Sequence, residues 1–411
     1  MPTASGHSSN TASSHVIPLR KTKLWLVAFY TLCLWPISMD GLSVNYIFAS
    51  FPIGVLIFGG RLIRPRKSVV LFIWASVVAF SVAAIYQINW IQYFDRRFVS
   101  FLLFLSMFSF CFVRITRTHV ESFKLAVVIA AIFFSLLALL QFASLGDMAN
   151  SFESKDIVGS QRYGFVYVLA FWILWHERTF INLRAIRLAL LLVLIIGVLL
   201  TFSRASVVSF ACSAIAAIIY TVMTERWTFY YFMRRAIYAL SICAVGVVIV
   251  HYIAPVVFDF FNERIVDYIV SGKQFDDLSN ADASDGVRMY IWSNVIEFVT
   301  FNPITGAGFL GTWVLNLFGE VGGSAHNQYI DALFRLGPIL FIAYIYFLYR
   351  IIAYAKNTDP GLYIGIIGVL IYGLFHETFK ESHGAFILAM LIGITMTRER
   401  LMPILNRRAM T

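Results

Sequence analysis

Apolar runs close to the ~20 residues needed to cross a bilayer recur along the whole chain, separated by short polar breaks. Twelve are legible, at about 24–39, 42–60, 68–88, 98–113, 122–143, 164–176, 188–202, 205–223, 236–257, 332–349, 362–376 and 384–397. Several are short, which predicts tilt or partial burial of irregular ends. One long hydrophilic interval, 258–331, divides the ninth from the tenth. Two stretches within it have helical spacing. Phe258, Phe261, Ile265 and Ile269 recur at three- or four-residue steps, and so do Val287, Ile291, Val295 and Phe298. Asp285 is placed to cap the second helix and Asn302-Pro303 to stop it. Both are too polar to span and amphipathic enough to lie along a membrane surface or cover a cavity. Between them GKQFDDLSNADASDG is an acidic connector, and a Gly-rich stretch leads on to His326.

The pattern predicts an all-α polytopic membrane protein of about 12 transmembrane helices with one long, partly helical loop. A β-barrel would show ~10-residue alternating strands instead. The expected organisation is a disordered tail at 1–23, nine helices over 24–257, the loop at 258–331, three helices over 332–397 and a basic tail at 398–411. The first 16 residues are Ser/Thr-rich and uncharged, and no small-residue cleavage site follows, so the tail does not read as a signal peptide.

Composition agrees with this division. The chain has 411 residues, 60% hydrophobic and 13% charged, with mean hydropathy +0.78. Soluble domains carry roughly twice that charged fraction. Charge also supplies sidedness. With the N-terminus in the cytoplasm, 22 of the 32 lysines and arginines fall inside and 17 of the 22 acids fall outside. That is the bias of the positive-inside rule. The basic balance therefore reports topology and anionic inner-leaflet lipid, not nucleic acid. Both termini are expected inside, and the long loop outside, which in a bacterium is the periplasm. Cys33, Cys111, Cys212 and Cys243 all lie in apolar segments and read as small core residues, not as a disulfide framework or metal cluster.

Three arginines on the outer face sit where bulk charge does not explain them: Arg162 in GSQRYGF, Arg204 in LLTFSRASVVSF and Arg288 in SDGVRMYIW. Arg204 occupies a very short turn between spans 7 and 8. Deep placement there costs up to ~2.5–3.5 kcal/mol, so an anionic partner is expected. Guanidinium suits bidentate contacts to phosphate. A snorkelling anchor, or a salt bridge to Asp285 or Glu297, is the plainer alternative. His326 stands at or just before a helix start, where Ser324 or Asn327 can cap. The positive helix terminus favours neutral imidazole, which is the form a general base needs. Arginines and one base on a single face, near lipid, suit a reaction in which a lipid-linked diphosphate leaves as a base activates a hydroxyl. The arginines would stabilise the departing charge, with no metal and no cofactor required.

Three segments carry a resemblance: Ser203-Arg204 in SRAS, Arg288 to Trp292 followed by Asn302 to Gly308 (NPITGAG), and His326 to Gly337 opening with HNQY. In that order they resemble the O-antigen ligase/polymerase superfamily over roughly residues 160–350. The resemblance implies a GT-C type, metal-independent glycosyltransferase of the bacterial inner membrane. It would take a glycan from undecaprenyl diphosphate on the periplasmic side. The acceptor would be a lipid A–core sugar hydroxyl in a ligase, or another lipid-linked repeat in a polymerase. It further implies His326 as base and Arg204 and Arg288 as diphosphate ligands, with Ser203, Asn327 and Tyr329 in support. Arg162 is also a candidate ligand, although the following RYGFVYVLAF departs from the Asn-Pro-Asn-like continuation common in the family. The single long loop inclines the expectation to a ligase.

Other readings compete. HETFKESH (376–383) spaces two histidines seven apart around Lys380 and reads as an ordinary polar outer turn, not a metal site. His251 within span 9 reads as a buried histidine. A secondary transporter would suit twelve spans, but the spans hold few acids and show no paired interrupted helices. A scaffold for glycan assembly would tolerate loss of His326 and Arg204.

Overall fold

A computed structural model of the chain describes residues 24–35, 38–39, 42–43, 61–86, 108–144, 163–178, 180–181, 183–201, 203–225, 285–308, 311–312, 314–315 and 325–398, with isolated helical positions between 234 and 252. The described α-helices are α1 (Leu24–Cys33), α2 (Lys67–Tyr86), α3 (Arg117–Ser144), α4 (Gly164–His176), α5 (Arg184–Leu200), α6 (Arg204–Glu225), α7 (Asp285–Phe301), α8 (Gln328–Thr358), α9 (Pro360–Tyr372) and α10 (Ser382–Arg398). Four of them, α2, α3, α6 and α8, are long and apolar enough to cross a membrane, and α1, α4, α9 and α10 are shorter apolar helices. The chain is a helical, multi-pass membrane protein.

Nine expected spans thus coincide with described helices. Most of those at 42–60, 98–113 and 236–257, and the loop helix from Phe258, lie outside the described residues. Two span ends are corrected. The first helix stops at Cys33, and Ser38–Met39 instead pairs antiparallel with Leu42–Ser43. Residues Ser109–Phe112 form a 3-10 turn, not the end of an α-helix. Among the cysteines, Cys33 and Cys111 are buried as expected and Cys212 is half-buried. His251 is exposed rather than buried, beside the ring of Tyr252.

The sequence of α4, GFVYVLAFWILWH, is apolar on every side, and a helix of that kind belongs inside a bundle. Every residue from Gly164 to Leu174 is buried, and α3, α5, α6 and α9 surround it. Glycines on α9 allow close approach. A Cβ on Gly365 would come within 2.6 Å of Leu169 Cδ1, and one on Gly361 within 2.8 Å of the Trp172 carbonyl. Small residues at this spacing are how helices gain contact in lipid, where apolar burial supplies little driving force. Hydroxyls tie α6 into the same bundle: Trp172 Nε1 donates to Ser213 Oγ at 2.7 Å, and Ser209 Oγ donates to the Gly368 carbonyl at 2.5 Å.

One charged knot holds helix ends together. Lys124 on α3 is 2% exposed and pairs with Glu177 after α4, with Asp359 between α8 and α9 at 3.0 Å, and with Glu121 at 3.5 Å. Removing the cation from a fully buried pair costs about 3–5 kcal/mol because it strands the opposite charge. Here the carboxylates retain 15–25% exposure, so the effect is discounted. Lys124→Met is expected to lower stability by about 2–3 kcal/mol. Unfolding of the purified protein in detergent measures it, and an unchanged midpoint would contradict the knot's role.

The tenth expected span differs most. Its helix begins at Gln328, breaks at Gly337 (φ 70°, ψ 166°) and resumes at Pro338. Proline lacks an N–H and disfavours helical geometry in the residue before it, and glycine at that position takes the left-handed value freely. The break frees carbonyls, and the segment after α7 uses them. Ala307 N donates to the Phe334 carbonyl at 2.7 Å and Gly308 N to the Arg335 carbonyl at 3.1 Å. The NPITGAG motif is therefore docked into a helix break.

Candidate active site

Three elements meet around the peptide that precedes His326. The first is α7. Its apolar stripe, Ile291, Val295 and Val299 with Phe298 half-buried beside them, packs on Phe334 of α8 and on Ala307, Val314 and Leu315. The expected helix is present, with Val299 sharing the buried face. Arg288 lies in its first turns and is half-buried; Trp292 follows one turn later. Trp292 Nε1 donates to the Ala325 carbonyl at 2.8 Å.

The second element is the start of α8. Asn327 is its N-cap, and its side-chain oxygen accepts from Tyr329 N at 2.9 Å and Ile330 N at 3.1 Å. This settles the cap on Asn327; Ser324 lies outside the described residues. Immediately before the cap, His326 has φ 47°, the one positive value among described non-glycine residues. Such a conformation is uncommon for a side-chain-bearing residue and persists when the surroundings impose it. The Tyr329 hydroxyl donates to the Leu370 carbonyl at 2.7 Å, so it joins α8 to α9.

The third element is the turn between α9 and α10, read from the sequence as an ordinary polar turn; it is a turn, and a packed one. Thr378 and Phe379 are buried, and so is His383, stacked on Phe165 with ring centroids 5.2 Å apart. Glu377 Oε1 accepts from Ala325 N at 2.7 Å, and its Oε2 accepts from Lys380 Nζ at 2.5 Å. Gln328 secures the turn from α8, its N–H donating to the Gly373 carbonyl and its side-chain oxygen accepting from Phe379 N, each at 2.7 Å. His376 stacks on Tyr372, and its Nε2 lies 3.4 Å from Ser203 Oγ. Ser203 is buried, and Arg204, the first residue of α6, follows it half-buried.

The candidates therefore divide. Ser203, Arg204, Arg288, His326 and Asn327 belong to elements joined by direct hydrogen bonds, through Ala325 on one side and His376–Glu377 on the other. Arg162 lies outside the described residues. His376 and Glu377 are the residues missed. The available signal was that their turn falls on the same face as His326 by the charge count. No group of three potential metal ligands occurs among the described residues.

Behind the site, Arg335 is buried on α8. Its Nε donates to Asp331 Oδ2 at 2.9 Å, and Lys380 Nζ lies 3.9 Å from Asp331 Oδ1. Gly306 is the critical small residue of the docked motif. Its φ is 55°, and a Cβ there would lie 2.4 Å from the Phe334 carbonyl oxygen. Gly306→Ala is expected to cost about 2 kcal/mol or more, since left-handed geometry alone costs roughly 1–2 kcal/mol. A full-strength unfolding transition in that variant would contradict the docking.

No curated protein matches the chain. The family model Wzy_C, described as O-antigen ligase, matches residues 188–345. That stretch runs from within α5 to within α8 and includes Ser203, Arg204, Arg288, His326, Asn327 and Tyr329. It stops short of His376 and Glu377. Over residues 188–345 the chain is similar to the Wzy_C family of O-antigen ligases.

Proposed function

We propose that this protein is an O-antigen ligase of the bacterial inner membrane, moving a glycan from undecaprenyl diphosphate to a sugar hydroxyl of lipid A–core on the periplasmic face. The observation that carries the reading is the convergence on Ala325. Trp292, on the helix bearing Arg288, and Glu377 both bond Ala325 beside the strained His326, and His376, next to Glu377, meets Ser203 in the turn leading to Arg204. The similarity over residues 188–345 supports a lipid-linked glycan as the substrate.

In the proposed reaction His326 takes the proton of the acceptor hydroxyl as its oxygen attacks the anomeric carbon of the donor sugar. The bond from that carbon to the diphosphate oxygen breaks, and the electron pair leaves with the diphosphate. Arg204 and Arg288 stabilise the growing charge, a role that positioned cations fill without a metal. Both substrates are lipid-anchored, which accounts for a base at the membrane boundary. Ligase is favoured over polymerase because the single long interval with its surface helix offers room for a bulky acceptor. Arg162 remains a further proposed donor contact.

A lipopolysaccharide gel from a strain deleted for this gene tests the assignment. Bare core, with glycan accumulating on undecaprenyl diphosphate, is expected. Core carrying a single repeat would make the protein a polymerase. An unchanged ladder would remove both readings.

A further inference from the structure

The turn at 376–380 lies outside the matched domain and has no part in the chemistry above. We propose that Glu377 is the positioning residue for His326, acting through the Ala325 peptide; this rests on the reading of His326 as the base.

His326 holds a left-handed backbone without being glycine, so its neighbours must impose that geometry. Both polar groups flanking Ala325 are held by side chains from other elements. Trp292 of α7 donates to its carbonyl at 2.8 Å, and Glu377 accepts from its N–H at 2.7 Å. On the far side Asn327 caps α8. His326 is thus bracketed in sequence by fixed peptides.

Glu377 is suited to the task for two reasons. Its side chain is 9% exposed, where a charge-assisted bond to an N–H is stronger than in water. Its second oxygen accepts from Lys380, which offsets the buried charge and fixes the plane of the carboxylate. Lys380 is itself drawn toward Asp331 of α8. The preceding residue, His376, meets Ser203 beside Arg204. One short turn therefore reaches both the peptide before the proposed base and the turn before a proposed diphosphate ligand. Displacement of reacting groups by about 1 Å is enough to cost about 100-fold in rate.

The test uses the full-length chain in phosphatidylethanolamine–phosphatidylglycerol vesicles. An undecaprenyl-diphosphate-linked glycan is the donor and lipid A–core the acceptor, with Glu377→Ala, Glu377→Gln and His326→Ala compared. Glu377→Ala is expected to lower kcat about 100-fold, with donor KM within about threefold. Glu377→Gln keeps an oxygen for Ala325 N–H and is expected to recover to within about tenfold of the parent. A second readout needs no turnover: carbethoxylation of His326, resolved by mass spectrometry, is expected to change rate in the Ala variant and return toward normal in the Gln variant. Unchanged kcat and unchanged carbethoxylation in Glu377→Ala would overturn the positioning role while leaving the base reading intact. An active His326→Ala would overturn the base reading, and carbethoxylation would still decide the positioning role. If Glu377→Ala does not fold, Trp292→Phe removes the hydrogen bond to the Ala325 carbonyl. Loss of kcat there supports the bracket, and parental kcat with parental carbethoxylation overturns it.

Discussion

His326→Ala is expected to lower glycan transfer about 10²–10⁴-fold, the usual contribution of a positioned general base, while leaving the chain folded. In cells the core should stay bare and the glycan should build up on its lipid carrier. The size of the effect follows from the chemistry. A sugar hydroxyl is a weak nucleophile until its proton is removed, and the imidazole at the start of α8 is the proposed acceptor. The dipole of that helix favours the neutral ring. The fold should survive because His326 itself is half-buried and the neighbouring hydrogen bonds are made by Ala325 and Asn327. Alanine in the same left-handed backbone adds a modest strain at most. A variant that is folded and transfers at near-parental rate would remove His326 from the mechanism.

Arg204→Ala is the second large effect. Loss of one donor to a developing anion typically costs about 10²–10³-fold. Arg204→Lys should recover only part, because an ammonium cannot present the planar fork that grips two phosphate oxygens at once. Arg288→Ala is expected to act in the same direction. Both should reduce kcat for the carrier-linked donor in vesicles. The plainer reading, a snorkelling anchor, makes a different demand. It predicts that lysine substitutes fully for arginine and that transfer is unchanged.

Much of the bundle was legible because membrane helices are written in long apolar runs. The run GFVYVLAFWILWH matches α4 without adjustment, and the stripe around Ile291 and Val295 marks α7. The break in α8 was present in the sequence as Gly337-Pro338, but its consequence was not. Only the fold shows that NPITGAG supplies the N–H groups for the carbonyls freed there. The individual motifs could be read singly; their meeting at Ala325 could not, since it depends on hydrogen bonds between distant elements. His376 and Glu377 escaped for a similar reason. Two histidines, two acids and a lysine in a short turn look like a solvated face. Nothing local reveals that Phe379 and His383 anchor the turn inside the bundle or that Glu377 reaches a peptide 52 residues earlier. In the knot around Lys124, Glu121 was legible three residues earlier on the same helix, but no spacing announces Glu177 or Asp359.

This chain itself is proposed to move a glycan from its diphosphate carrier at the site containing His326, Arg204 and Arg288. The purified protein, reconstituted in vesicles with an undecaprenyl-diphosphate-linked glycan and lipid A–core and no other protein, tests it most directly. Glycan joined to core, with one undecaprenyl diphosphate released per transfer, is expected from the parent protein, and loss of both products with His326→Ala. Absence of transfer by the folded parent protein, or equal transfer by the variant, would contradict it.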